Sequence, residues 1–407
     1  MEGNRDGEFR LTGKGLLLAD CGGAIRGLAM AVPGGYLAPC HGHIKRALGS
    51  LIASFDAAAR VTVLVRPDDR NACSAWLTEL EPRCAVTMAS VPSGATLKTL
   101  WIQDRFLCRG PGDHRRTYLF PPSSAGENMA TWLAAVDGSQ SEEVRVALSG
   151  GNCLVGEDYW LVGADSVAQS VAFLPADRKN RESAQESIAA IDRRRLEVVG
   201  YSYADLKNRG IGPCHESALL KTAEIVVASE LKQPIFHLDL FLTITGETVH
   251  GKPLLLVGEP VSPGPDAGLP DRNYSPQLAA VCCRLRTAGF EIMRNPVAVL
   301  PERRSGGGRR FWRSYNNVIL QNRPDRVVWL PQFADVEWPE LRQLDEENTR
   351  IWRDCLGFAV RRIDGWGAVA ALGAGVRCVV KVTERDQTAV SDRSAGQDLP
   401  MTRSRST

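Results

Sequence analysis

The sequence predicts an α/β fold. Short runs of β-branched and apolar residues, each bounded by turn residues, recur along the chain, and longer stretches of helical periodicity lie between them. Neither a phosphate loop nor a Gly-x-Gly-x-x-Gly after a strand is present, so the nucleotide-binding versions of that class are set aside. In chain order, the spacing predicts a helix over 44–60, strands over 61–65 and 118–120, a helix over 127–136, and strands over 144–148 and 159–162. A helix over 181–199 follows, then a helix end at 205–210 with Gly210 as its stop. Strands over 225–227 and 253–257, a helix over 277–288, strands over 318–321 and 327–330, and a helix over 338–356 complete the pattern.

The 407 residues are 44% apolar and 24% charged, as in an ordinary soluble domain, and a net charge of +2 gives no overall pull toward nucleic acid or acidic membranes. The first ten residues lack the basic start and apolar run of a secretory leader. The apolar stretch 15–34 contains Asp20 and Arg26 and falls short of a membrane span. Eleven cysteines, odd in number and unevenly spaced, suit a reducing compartment, and the cytoplasm is expected. Residues 1–10 and 384–407 are polar enough to be disordered, which leaves 11–383 as a single domain. The five arginines of 303–313 read as a flexible loop: a solvated surface, or a flap for an acidic group.

Four stretches carry chemistry. Phe236-His-Leu-Asp-Leu-Phe241 reads as a strand, so His237 and Asp239 share one face and their neighbours the other; two polar groups there are costly to bury without partners. Trp101-Ile-Gln-Asp104 ends on an acid that serves either as a turn residue or as a carboxylate aimed at a cation. Ser149-Gly-Gly-Asn152 has glycines that permit close backbone approach. Gly373-Ala-Gly-Val-Arg-Cys378 brings a cysteine to a strand start after flexible glycines, which makes Cys378 the best candidate for an exposed thiol. Cys40-His-Gly-His43 and Cys214-His215 offer zinc-ligand types, but no Cys-x-x-Cys completes a tetrahedral set, so no metal is expected. Cys282-Cys283 is read as structural.

Taken in order, these motifs resemble the guanidine-modifying enzymes: arginine, agmatine and protein-arginine deiminases, dimethylarginine hydrolases and amidinotransferases. The resemblance spans about residues 95–383 and includes the run Lys252-Pro-Leu-Leu-Leu-Val-Gly-Glu-Pro260, and Ser314-Tyr-Asn-Asn-Val-Ile-Leu320 with Trp329-Leu-Pro-Gln-Phe333. It implies a five-bladed α/β propeller (pentein) of ββαβ modules, although no internal repeat is visible in the sequence. It also implies Cys378 as nucleophile, His237 as acid and base, and Asp104 and Asp239 as the carboxylates that grip a guanidinium, with no cofactor. Trp101, Asn152, Arg313 and Arg377 are expected to contact the substrate, either a small guanidino compound or a peptidyl-arginine. Many relatives have an acid before the Gly-Gly pair that orients the histidine. Ser149 stands there, as protein-arginine deiminases also lack that acid. Hydrolysis of the guanidino group to a ureido group and ammonia is the reading favoured by Trp-Ile-Gln-Asp; amidino transfer to an amine, and an inactive arginine-binding protein, remain open.

Overall fold

The computed structural model describes residues 15–110, 115–122, 128–207, 230–262, 274–301 and 310–386. Among them are seventeen strands in five small sheets, interleaved with helices. The first sheet holds β1 (Ile25–Ala31), β2 (Arg60–Val65), β3 (Ala85–Ser90) and β17 (Val380–Arg385), in the order β17-β1-β2-β3. The second holds β4 (Leu107–Arg109), β5 (Thr117–Phe120) and β6 (Gln140–Glu143), and the third β7 (Cys153–Val155), β8 (Tyr159–Gly163) and β9 (Arg195–Val199). The fourth holds β10 (Leu242–Val249), β11 (Lys252–Val261), β12 (Glu291–Pro301) and β13 (Arg310–Arg313). The fifth holds β14 (Ile319–Gln321), β15 (Val327–Pro331) and β16 (Ala359–Ile363).

One pairing pattern recurs in all five. A strand is antiparallel to the one before it and parallel to the one after, and a helix lies between the parallel pair. In the first sheet the antiparallel partner comes from the far end of the chain: β17 pairs with β1, with Lys381 opposite Ala29. Parallel strands need a crossover, and helices such as Gly42–Ala53, Ser275–Thr287 and Arg342–Arg350 supply it. Strands such as β2, β11 and β15 are buried over most of their length, which is why they stand out in the sequence as continuous apolar runs.

The structure corrects several expected elements. The stretch 144–148 makes no ladder; Val144, Val146 and Leu148 still alternate inward, so the period of two survives without a strand. The expected helix over 181–199 is a helix, Arg181–Ala189, followed by β9, because Asp192 and Arg194 form a turn and Arg195–Val199 pairs with β8. The helix expected over 44–60 spans Gly42–Ala53, and Arg60 already opens β2. The expected 338–356 helix is a 3-10 turn, an α-helix Arg342–Arg350 and a π-turn Ile351–Cys355. Order continues past 384: β17 runs through Arg385, and Asp386 takes a paired bond from Arg26. Gly210, the strand expected over 225–227, and 303–309 lie outside the described residues. No helix among the described residues is long and apolar enough to cross a membrane.

Candidate active site

Three one-turn 3-10 segments, each next to a strand or leading into one, carry the polar groups singled out in the sequence. Ile102–Arg105 holds Asp104, Leu238–Leu240 holds Asp239 just after His237, and Arg377–Val379 holds Cys378 just before β17. The strand expected through His237 and Asp239 is therefore corrected. The chain turns at Leu238 because Leu238 and Leu240 both go into the core, and β10 begins only at Leu242. Phe236, expected on the apolar face with them, is instead 59% exposed.

Cys378 is also not the exposed thiol expected from its glycine-rich approach; it is 5% exposed. Its sulfur accepts from Asn317 Nδ2 at 3.3 Å and from the Gly375 N–H at 3.4 Å. Asn317 Oδ1 in turn accepts from the backbone N–H groups of Arg377, at 2.7 Å, and Cys378, at 3.3 Å, so one buried amide holds both the turn and the thiol. A Cβ on Gly375 would fall 2.2 Å from Asn317 Oδ1, which makes that position a glycine. Burial, then the charges of Asp239 and Asp104, push the Cys378 thiol well above its ordinary value, and the two N–H donors offset this only in part. Without a cation nearby the group is a neutral thiol.

Arg377 lies at the centre of the charged network. Its Nη1 donates to Asp239 Oδ2 at 2.9 Å and to the Gly150 carbonyl at 2.8 Å, and its Nη2 donates to Asp20 Oδ1 at 2.7 Å and to the Cys153 carbonyl at 3.2 Å. Burial works against the cation, but Asp20 and Asp239 outweigh it and raise its pKa. Asp239 is 1% exposed, and its Oδ1 has no partner. Burial pushes the Asp239 carboxyl up to about 6; Arg377 and His237 act against the rise and Asp104 adds to it.

The imidazole is set on the other side. Ser149 Oγ donates to Asp104 Oδ1 at 3.0 Å and lies 3.1 Å from His237 Nε2. A hydroxyl has one proton, and an ionised carboxylate can only accept. Ser149 therefore accepts from a protonated Nε2. Asp104 Oδ1 also takes the Gly151 N–H at 3.0 Å and lies 3.7 Å from His237 Nδ1. A Cβ on Gly151 would come within 2.6 Å of that nitrogen and 2.8 Å of the carboxylate, which accounts for the glycine.

Cys378, His237, Asp104 and Asp239 are thus brought together. Of the four residues expected to contact substrate, Arg377 is next to them but is spent on Asp20, Asp239 and two carbonyls. Asn152 is spent as well: it bonds Ser166, Gln233 and the Leu238 N–H, and so fixes the residue after His237. Trp101 is half-buried against the main core. Arg313 is buried on β13, and strand alternation turns it away from Trp312 and Ser314, toward the charges of Asp335 and Glu337.

Trp312 and Ser314 line a cavity of about 200 Å³ with Phe236, Leu240, Ala374 and Gly375. It adjoins both His237, through Phe236, and the Cys378 sulfur, through Gly375. Its described lining carries no charge. Sequence reasoning missed Asn317 and Asp20. Both had a signal: Asn316-Asn317 interrupts an apolar run, and Asp20 is a lone acid in the apolar stretch 15–34. Among the described residues, no group of three or more His, Cys, Asp or Glu side chains is placed to hold a metal ion.

The arrangement offers a thiol, an imidazole and two carboxylates with free lone pairs, around a space entered through an apolar cavity. That set fits a flat cation with several N–H donors and an electrophilic carbon. No family model and no curated protein matches the sequence. Solved structures do resemble it. C. jejuni agmatine deiminase is 11% identical, with a TM-score of 0.58, over 91% of this chain and 96% of that one. The agmatine deiminase of Enterococcus faecalis is 11% identical, with a TM-score of 0.57, over the same shares of 91% and 96%. The chain has the fold of these deiminases.

Proposed function

We propose that this protein hydrolyses the guanidino group of an arginine-like substrate to a ureido group and ammonia, with Cys378 as nucleophile. The observation that carries the reading is the convergence of Cys378, His237, Asp104 and Asp239, from three distant stretches of chain, around one buried thiol. The likeness of fold to agmatine deiminases supports it. We infer too that the five ββαβ sheets are the blades of a propeller, with β17 on β1 as its closure; the recurrent pairing pattern supports this.

The guanidinium N–H groups donate to Asp104 and to the unpartnered Oδ1 of Asp239. Their carbon then lies over the Cys378 sulfur. The incoming cation offsets the two carboxylates that hold the thiol neutral, so substrate binding itself lowers the cost of forming the thiolate. The His237 imidazole takes the thiol proton as sulfur bonds to the guanidinium carbon, which gives a tetrahedral adduct beside an imidazolium. His237, held through Nε2 by Ser149 and Asp104, delivers a proton to one nitrogen, and the C–N bond breaks to release ammonia. The neutral imidazole next takes a proton from water as its oxygen attacks the thiouronium carbon. The C–S bond then breaks, which frees the ureido product and restores the cysteine. A reduced thiol is required throughout, in keeping with a reducing, cytoplasmic setting.

The test is a panel of arginine, agmatine and peptidyl-arginine, scored for ureido product and for ammonia in the absence of any acceptor amine. Turnover of at least one member by the native chain, lost in Cys378→Ala, supports the reading. Amidination of an added amine, with no ureido product and no ammonia in its absence, makes the protein an amidinotransferase. No product from any substrate, with a thiol no faster toward chloroacetamidine than toward chloroacetamide, leaves a guanidine-binding fold without this chemistry.

A further inference from the structure

One guanidinium is shared between two carboxylates on the charged side of the site, and the sharing leaves an oxygen over. Arg377 Nη1 reaches Asp239 Oδ2 at 2.9 Å, and Nη2 reaches Asp20 Oδ1 at 2.7 Å. An arginine and a single carboxylate commonly pair through two parallel bonds. Here the fork is split. Asp239 meets it through one oxygen only, and its Oδ1 stays buried without a partner. A buried acceptor left unpaired is costly. Nη1 already touches this carboxylate, so the simplest repair within the chain is a rotation about that contact that brings Nη2 onto Oδ1.

Asp20 opposes that rotation, and it is itself firmly held. Its Oδ2 takes the Val155 N–H at 2.7 Å, its own N–H donates to the Val155 carbonyl at 2.7 Å, and its carbonyl takes Arg385 Nη2 at 2.8 Å. Residue and carboxylate are thus tied to β7 and β17 independently of Arg377. The other acceptor of Nη2 is the Cys153 carbonyl at 3.2 Å. Without Asp20, only that neutral oxygen would hold Nη2 against the ionised Asp239, and bonds to charged acceptors are about twice as strong as neutral ones.

We propose that Asp20 is a positioning residue: by holding Arg377 Nη2, it keeps Asp239 Oδ1 open for the cationic head group of the substrate. The inference rests on the reading of Asp239 as a guanidinium acceptor. It adds that the chain's own guanidinium is the competitor for that oxygen, and that an acid ahead of β1, acting through Arg377, excludes it.

Asp20→Ala tests this in two ways. In crystals of the variant, Arg377 Nη2 should lie within hydrogen-bond distance of Asp239 Oδ1, a contact that crystals of the native chain should lack. On whichever guanidino substrate the native chain turns over, KM should rise about 10- to 100-fold, because substrate must first displace a hydrogen bond between charged groups. The reacting groups are unaltered once it has, so kcat should stay within about threefold. The acid limb of kcat/KM should also move to lower pH, since a forked pair holds Asp239 ionised more firmly. A mere loss of packing would instead lower kcat and leave the limb in place. The proposal is overturned by a variant crystal in which Nη2 stays off Oδ1, by an unchanged KM, or by a kcat loss larger than the KM rise. Should Asp20→Ala not fold, Asp20→Asn keeps the size and one of the two acceptors; it should show the same changes in smaller measure, and the same outcomes count against the proposal. A native chain without turnover defeats the deiminase reading alone, and the crystals still decide for Asp20.

Discussion

The two sides of the candidate site are built by opposite means. On the charged side, Arg377 joins Asp20, Asp239 and the Gly150 carbonyl into a buried network in which nearly every donor has a fixed acceptor. On the entry side, Phe236, Leu240 and Trp312 border an open apolar space, and nothing polar but Ser314 is among the described lining. A preorganised charged wall suits a head group that is always the same. An apolar entrance without directional bonds leaves the remainder of the ligand loosely specified. Changes on the charged side should therefore act on the chemical step or on folding, and changes at the entrance should act on substrate affinity.

The largest effect should come from the sulfur. Cys378→Ala should lower kcat by about 10⁴-fold or more with an unchanged circular dichroism spectrum, because the nucleophile is lost while the fold is not. Turnover within tenfold of native would break the proposed mechanism. Arg377→Met comes next, as a stability effect: it leaves Asp239 buried, and Asp20 partly buried, without their cation, and should cost about 3–5 kcal/mol in denaturant titrations. A loss below about 1 kcal/mol would mean that the network is not what holds this wall.

Ser149→Ala should reduce kcat by roughly 10- to 100-fold, the worth of hydrogen bonds to charged groups, with KM little moved. It should also shift the pH profile, since the histidine then loses the acceptor of its Nε2 proton. A variant slower at every pH by the same factor would assign Ser149 a purely structural part.

Acidity sharpens the same contrast. Asp239 must be ionised to take a guanidinium, and burial places its carboxyl at about 6 in the free protein, so kcat/KM should fall about tenfold per pH unit below that point. For stability the sign is reversed. The folded chain holds this proton more tightly than the unfolded one, whose carboxyl titrates near 3.8. This group's contribution is therefore full below that value and is lost as pH rises through about 6. An acid limb centred near 4 would show Asp239 to be solvated when substrate arrives.

The smallest effect belongs to the entrance. Trp312→Ala removes apolar surface from the 200 Å³ cavity and should raise KM by roughly 10-fold or less, with kcat nearly unchanged. A kcat loss larger than the KM change would move Trp312 from the entrance to the chemistry.

The sequence by itself determined the α/β class and the buried strands, and its resemblance to the guanidine-modifying enzymes pointed to the four side chains proposed to react. The class and the strands are written in local pattern, in apolar runs such as 61–65 and 253–257; the four side chains stand in short motifs, of glycines that open a close approach and polar residues set in apolar neighbourhoods, that carry the resemblance only when taken in order. Only the tertiary structure decided that Cys378 is buried, that Asp239 lies in a turn which His237 immediately precedes, and that Arg377 and Asn152 serve the scaffold. It alone revealed Asn317 and Asp20, which bond partners 61 and 357 residues away. The reason is physical. Propensity and periodicity act over a few residues, whereas burial, charge compensation and the partner of a hydrogen bond are set by whichever distant segment packs alongside.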